Sequence, residues 1–176
     1  MGTLVLNGAT SGSTTIQPTD AATVTATLPG ATGTIMVSGN MPAFSAYLTG
    51  NQSISATTYT KVQLNTKTFD TNNCFDSTTN YRFTPTVAGY YQVNITLGGS
   101  NAAYQLISAI YKNGSAYLYT SVPTGTGNGN IANGSCLIYL NGSTDYIEFY
   151  GWQSAGGVFA GGSVNTQASA TLVRAA

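Results

Sequence analysis

The residues that could carry acid–base chemistry in this chain are few and scattered. There is no histidine, and the five carboxylates are Asp20, Asp70, Asp76, Asp145 and Glu148. A carboxylate pair can hydrolyse a glycoside, and Asp145 and Glu148 lie on a predicted turn and strand. Opposite parity should send these two side chains to different faces of the strand. Because the missing histidine also excludes Ser-His-Asp and Cys-His catalysis, we expect a protein that is not an enzyme.

Thiol, phosphate and metal chemistry are equally poorly supported. Cys74 and Cys136, the only cysteines, form neither a disulfide framework nor a zinc motif, so we expect partly buried free thiols. The Gly-rich segment 124–130 lacks the lysine of a phosphate loop and precedes no predicted helix, so we interpret it as a strand connection. Calcium needs several oxygen ligands, usually including carboxylates. We therefore expect no cofactor and no metal.

The composition limits the kinds of partner. Charged residues make up 6% of the chain, the formal net charge is zero, and 42% of the residues are hydrophobic. Such a chain is not attracted to phosphate backbones or anionic lipid, and no stretch is long enough to span a bilayer, so we expect neither nucleic acid nor membrane as a partner. The N-terminus resembles no signal peptide, and Leu6 breaks the myristoylation pattern, which favours synthesis in a cytoplasm. A neutral surface with little charge favours burial in an assembly.

The order of apolar and polar residues predicts strands. Residues 90–97 alternate with period two, and an Asn-Gly pair at 113–114 separates the runs 106–112 and 115–119, which is a strong hairpin signal. Further runs occupy 136–140, 146–152 and 167–173. About eight strands without a helical period predict an all-β sandwich, and a jelly roll closes that number into two sheets.

The first 40 residues differ from the rest, because they contain no aromatic residue and one charge, Asp20. Strand-forming stretches at 3–6, 23–28 and 34–37 alternate with Gly and Pro. The segment has too little apolar bulk to fold alone. It could be a disordered linker, but the recurring strand-forming stretches favour an extended arm that orders against other chains. We thus expect residues 1–40 to be an attachment arm and 41–176 a folded head, with arm contacts made by Leu4, Leu6, Ile16, Val24, Leu28 and Ile35.

From residue 43 onward the chain carries an ordered series of motifs. Residues 43–46 read AFSA, and segment 62–76 has Phe-Asp pairs at 69–70 and 75–76. YRFTPTVAGYYQV follows at 81–93, then KNG at 112–114, then Ile-Tyr-Leu at 138–140 with Asp-Tyr-Ile at 145–147. In this order they resemble motifs of the C1q-like domain, the jelly roll shared with the tumour necrosis factor superfamily. The best match is 81–93 with "F-x-x-P-x-x-G-x-Y-x-F".

This resemblance implies a C1q/TNF-like jelly roll from about residue 41 onward that assembles as a homotrimer. The terminal Phe-Ser-Gly-Phe-Leu-Leu of the family is replaced by Ala-Ser-Ala-Thr-Leu-Val at 168–173. Residues 1–40 lack the Gly-X-Y period of a collagen stalk. Segment 27–35 is similar to short β-rich segments that precede the heads of bacteriophage fibre and decoration proteins. Together these features favour the bacteriophage virion type.

Alternation divides the predicted strands into an inner and an outer set of side chains. The trimer interface should contain Tyr90, Gln92, Leu137 and Tyr139. We expect Trp152 to serve packing rather than ligand binding, whereas Tyr111, Tyr117 and Tyr119 could form a sugar-stacking surface or simply cover the sandwich. The predicted core comprises Phe44, Phe83, Tyr91, Val93, Ile95, Ile110, Ile138, Leu140, Ile147 and Phe149.

The leading functional hypothesis is a trimeric bacteriophage capsid decoration (cement) protein on the virion. Its arm would dock on the major capsid protein or other virion proteins while the head projects outward. One alternative is the receptor-binding head of a short tail or head fibre that recognises a host surface glycan. A third possibility is a soluble C1q-like recognition module unrelated to viruses.

Overall fold

The structure of the chain is a computed structural model that describes residues 4–7, 9–16, 25, 30, 37, 41–99, 105–122 and 130–176. The chain divides into two units, Met1–Gly33 and Thr34–Ala176. All regular elements in the described ranges are strands. No helix formed by these residues could cross a membrane.

The first unit contains a hairpin where the sequence predicted an extended arm. Strand β1 (Leu4–Asn7) covers most of the stretch predicted at 3–6, and β2 (Ser13–Ile16) pairs with it antiparallel. Gly12 has a φ of 81°, a left-handed conformation that glycine adopts without steric cost just before β2. The reversal lets β1 pair its backbone groups within the same segment. Of the stretches expected at 23–28 and 34–37, Val24, Leu28 and Ile35 lie outside the described residues.

The described residues of the second unit form thirteen strands. The first seven are β3 (Ala43–Tyr47), β4 (Gln52–Ile54), β5 (Thr60–Lys61), β6 (Thr66–Asp70), β7 (Phe75–Asp76), β8 (Arg82–Phe83) and β9 (Gly89–Gly99). The remaining six are β10 (Leu106–Lys112), β11 (Ser115–Val122), β12 (Asn130–Leu140), β13 (Ile147–Gln153), β14 (Gly157–Phe159) and β15 (Gln167–Ala175).

These strands form two antiparallel sheets with jelly-roll winding. The seven-stranded sheet has the order β4-β14-β9-β15-β3-β6, with β12 also paired to β9. The six-stranded sheet has the order β11-β10-β13-β8-β7, with β5 also paired to β13. The chain passes from β9 to the other sheet for β10 and β11, returns for β12, crosses again for β13 and comes back for β14 and β15.

The hairpin between β10 and β11 has the predicted turn. Asn113 and Gly114 have φ values of 52° and 77°. Two consecutive positive φ angles are those of the tight turn that suits the twist of adjacent strands. The backbone conformation of Asn113 could therefore be predicted directly from the sequence.

Several strands are longer than the sequence predicted, and β12 is the clearest case. It was expected at 136–140 but begins at Asn130, because it pairs with β9 along its whole length, up to Gly99. Asn133 and Gly134 are poor strand formers, so this part resembled a loop. Pairing with a central strand overrides that local preference.

The hydrophobic core lies between the two sheets. Phe44 of β3 stacks on Phe75 and Phe83 of the opposite sheet, with ring centroids 4.3 and 4.8 Å apart. Buried Tyr91 donates its hydroxyl hydrogen to the carbonyl oxygen of Val87 at 2.6 Å, which satisfies its polar group. The structure places all ten residues expected inside in this core: Phe44, Phe83, Tyr91, Val93, Ile95, Ile110, Ile138, Leu140, Ile147 and Phe149.

Val93→Ala is expected to lower the free energy of unfolding by about 1–3 kcal/mol, because it removes two buried methyl groups from a packed site. Val93 is fully buried in β9. The measurement is the denaturant midpoint at unchanged m-value. Val164→Ala is the matched control, since Val164 is exposed and its truncation should leave the midpoint unchanged. Equal midpoints for Val93→Ala and the parent would show that the β9 register is wrong.

Candidate oligomer interface

The outward face of the seven-stranded sheet brings together the four residues expected at the interface. In β9 and β12, buried and more exposed positions alternate, so the four point away from the core. The register sets Tyr139 beside Tyr90 and Leu137 beside Gln92. The two tyrosine rings meet edge to face, with centroids 5.6 Å apart. These residues therefore form one continuous patch across two paired strands.

The patch is apolar and open to solvent. Tyr90, Leu137 and Tyr139 are 44%, 52% and 41% exposed. Three further exposed apolar residues of this sheet were not predicted from the sequence: Ile131 of β12, Phe69 of β6 and Val173 of β15. Ile131 has the same odd parity as Leu137 and therefore lies on the same face of β12. It was not predicted because this part of β12 was not predicted to be a strand. Clustered exposed apolar side chains mark an interaction site more often than a free surface.

A polar network lies beside the apolar patch on the same face. Gln92 Nε2 donates to Ser135 Oγ at 2.7 Å, and Ser135 Oγ donates to Asn94 Oδ1 at 2.9 Å. Asn94 Nδ2 in turn donates to Ser169 Oγ of β15 at 3.4 Å. This network explains why Gln92 is less exposed than its apolar neighbours. Because these side chains bond to one another, their hydrogen bonds are kept when another copy covers the face.

The outer edge of β12 is held by side chains of the opposite sheet. Lys112 Nζ donates to the carbonyl oxygen of Tyr139 at 2.7 Å, and Tyr117 Oη donates to that of Leu137 at 3.3 Å. These bonds occupy carbonyl oxygens that an added strand would otherwise use. The C-terminal half of β12 is therefore suited to face-to-face packing rather than strand addition.

The described carboxylates are engaged in local structure. Asp70 accepts from the backbone N–H groups of Cys74 and Phe75, and Glu148 pairs with Lys61. Backbone N–H groups of Thr79 and Thr78 hold the pKa of Asp76 well below its usual range. Within the described part of the chain, no group of three His, Cys, Asp or Glu side chains could hold a metal ion. Asp20 lies outside the described residues, as does 124–129 of the Gly-rich segment.

Both cysteines are free thiols. Cys74 is buried and Cys136 is half-buried. Burial raises the pKa of each thiol above its ordinary value. Because the thiolate is the reactive form, both thiols should react slowly at neutral pH.

Asp145 links three segments next to the turn before β13. It accepts from Asn113 Nδ2 at 2.8 Å and from the Asn141 backbone N–H at 3.1 Å, and Lys112 Nζ lies 3.0 Å away. The hydrogen bond from Asn113, together with the bonds from Lys112 and Asn141, lowers the pKa of Asp145. Asp145 lies before β13 and pairs with Lys112, whereas Glu148 lies within β13 and pairs with Lys61.

Asp145→Asn is expected to lower the melting temperature at pH 7 and to matter less in acid. A carboxylate whose pKa is depressed by folding contributes stability that is fully present above its unfolded pKa of about 4. That contribution is lost as the pH falls from about 4 through the lower folded-state pKa. Thermal melts of parent and variant between pH 7 and pH 2 should therefore converge at the acid end. A difference that stayed constant across this range would contradict the assignment.

Comparison with known proteins gives no matching family model and no matching curated protein. Among solved structures, murine APRIL is similar, with a TM-score of 0.61 at 8% identity over 76% of this chain and 99% of that one. The globular domain of zebrafish complement 1qA has a TM-score of 0.60 at 17% identity over 77% and 99%. The PRD1 vertex protein P5 has a TM-score of 0.58 at 16% identity over 76% and 97%.

This chain has the C1q/TNF jelly-roll fold. The predicted fold class is confirmed, and at these identities the likeness is one of fold. Three of the motifs that carried the resemblance end or begin strands, next to turns of this chain. YRFTPTVAGYYQV includes β8 and the start of β9, KNG forms the turn after β10, and Ile-Tyr-Leu ends β12. Turn geometry restricts sequence more strongly than solvent-facing strand positions do.

Proposed function

We propose that this protein is a trimeric capsid decoration protein of a bacteriophage virion, with no enzymatic role. The observation that carries the proposal is the exposed apolar patch of Tyr90, Leu137 and Tyr139 on a chain with 6% charged residues. The fold likeness to a phage vertex protein supports the placement on a virion.

The trimer is formed by the seven-stranded sheet of each copy. Burying the patch removes three exposed apolar side chains of that face from water, and the apolar contribution grows with the area buried. The adjacent network from Gln92 to Ser169 is already hydrogen-bonded within one copy. The interface thus has an apolar part that supplies free energy and a polar part whose side chains are hydrogen-bonded to one another.

Attachment to the capsid belongs to the N-terminal segment, residues 1–40. Its hairpin exposes Val5, Leu6 and Ile16, and an isolated two-stranded hairpin is marginally stable in water. Pairing or packing against another chain would bury these side chains and use the free strand edges. The partner is the major capsid protein or another virion protein.

Imaging virions that carry a labelled copy of the protein tests this function. We expect regularly spaced threefold density on the outside of the capsid, with the label in the projecting head. Density at the tip of a tail or head fibre would instead support the alternative, a receptor-binding fibre head. Absence of the label from purified virions would overturn both viral functions and leave the non-viral recognition module.

A further inference from the structure

The outward face of the six-stranded sheet carries a cluster of rings, here called the aromatic platform: Tyr59, Tyr111, Tyr119, Tyr150 and Trp152. Tyr111 stacks on Tyr150 with centroids 4.1 Å apart. Tyr59 lies 5.2 Å from Tyr119 and 6.4 Å from Trp152, centroid to centroid. The rings come from β10, β11, β13 and the segment before β5, so folding assembles them from distant parts of the chain.

The platform is preorganised by the sheet beneath it. The register sets Ala109 of β10 between Tyr119 of β11 and Tyr150 of β13. Ile110 faces the core, so the adjacent Ala109 points to the outer face of the sheet. Ala109 is nevertheless only 1% exposed. The surrounding rings therefore cover Ala109, and their mutual contacts restrict their motion before any ligand arrives.

Covering one alanine does not require this set of side chains. Aliphatic residues would shield Ala109 equally well, but they would offer neither flat faces nor hydroxyl groups. Tyr59 and Tyr119 remain exposed on the platform. Tyrosine and tryptophan combine an apolar ring with a polar group, which suits ligands that present both kinds of surface.

The charges around the platform balance one another. Lys61 pairs with Glu148, and Lys61 Nζ also lies 5.9 Å from the centroid of the Tyr150 ring. This part of the surface thus offers aromatic rings and phenolic hydroxyls without net charge. Its complement is a neutral molecule rich in hydroxyl groups.

We propose that the aromatic platform binds a neutral carbohydrate. The C–H face of a sugar ring would stack on Tyr59 and Tyr119, while phenolic groups would bond to its hydroxyls. The platform lies on the sheet opposite the proposed trimer interface, so a trimer keeps three copies exposed. Three linked sites strengthen weak individual binding through effective concentration. Binding at the platform does not depend on which part of the virion carries the protein.

The test begins with the full-length protein on an array of neutral and of sialylated or phosphorylated oligosaccharides. We expect binding to neutral members. Trp152 is the only tryptophan in the chain, so its emission reports on the platform alone. Titration with a bound oligosaccharide should change that emission saturably and yield a Kd.

Tyr119→Ala should raise the Kd at least about tenfold, as truncating a ring at the centre of a site does. Tyr117→Ala is the matched control: it changes the same residue type on the same strand at similar exposure, 51% against 50%. Its hydroxyl bonds to the carbonyl oxygen of Leu137 instead. The control should leave the Kd unchanged.

Because Tyr119→Ala uncovers Ala109, it can disturb β11. Tyr59→Ala, from the segment before β5, supplies a second truncation that leaves β11 intact, and it too should weaken binding. Circular dichroism and sedimentation verify that each variant is folded and has the parent mass. Failure to bind any neutral oligosaccharide, binding restricted to acidic ones, or equal losses in Tyr59→Ala and Tyr117→Ala would overturn the proposal.

Discussion

Leu137→Asp is expected to sediment as a monomer at micromolar concentrations, where we expect the parent protein to be a trimer. Leu137 is the most exposed residue of the apolar patch, next to Gln92 in register and two residues from Tyr139. Its replacement would place an unpaired carboxylate in each buried face, and an uncompensated buried charge costs about 3–5 kcal/mol. Three copies per assembly multiply that cost. Sedimentation equilibrium across a concentration series measures the change.

Val164→Asp is the control for added charge. Val164 is 79% exposed and lies in the segment before β15 rather than on the patch. The Val164→Asp variant should keep the trimer mass and the parent's melting temperature. If Leu137→Asp also remained a trimer, the copies would associate through another surface. A parent that is monomeric at these concentrations would refute the trimer itself.

A chain that starts at Met41 is expected to fold and trimerise but to lose detectable binding to capsids. The core cluster begins at Phe44, so removing the first 40 residues takes away none of its members. The proposed interface also lies entirely in the retained part. Co-sedimentation with capsids stripped of the protein compares the truncated and full-length chains, and full-length protein should saturate the lattice.

Point substitutions in the hairpin refine this experiment. Leu6 and Ile16 share one face, because Leu6 pairs with Thr14, two residues from Ile16. Leu6→Asp and Ile16→Asp should weaken capsid binding if that face makes the contact. Ser13→Asp, on the other face, is the matched control and should bind like the parent. If the truncated head decorates capsids as well as the intact chain does, attachment lies in the jelly roll and the arm is a linker.

The alternation of side chains allowed much of the jelly roll to be predicted. The period of two from Tyr90 to Leu97 assigned the inward and outward residues of β9. The same rule placed Ile138 and Leu140 on the inward face of β12. Asn113-Gly114 located a hairpin through its backbone conformation. These features depend on neighbouring residues alone, and so the sequence was sufficient to predict them. The trimer and the capsid partner remain predictions.

The tertiary structure decided what depends on strand order and register. Ser135 and Ser169 join Asn94 because β12 and β15 flank β9, and no local pattern predicts which strands will be neighbours. Tyr59 meets Tyr119 and Trp152 for the same reason, in a region where the sequence had left sugar stacking and simple cover as alternatives. Contacts between residues far apart in the chain form only when the sheets close around a shared core. The polar network and the aromatic platform are therefore properties of the fold rather than of any segment of the sequence.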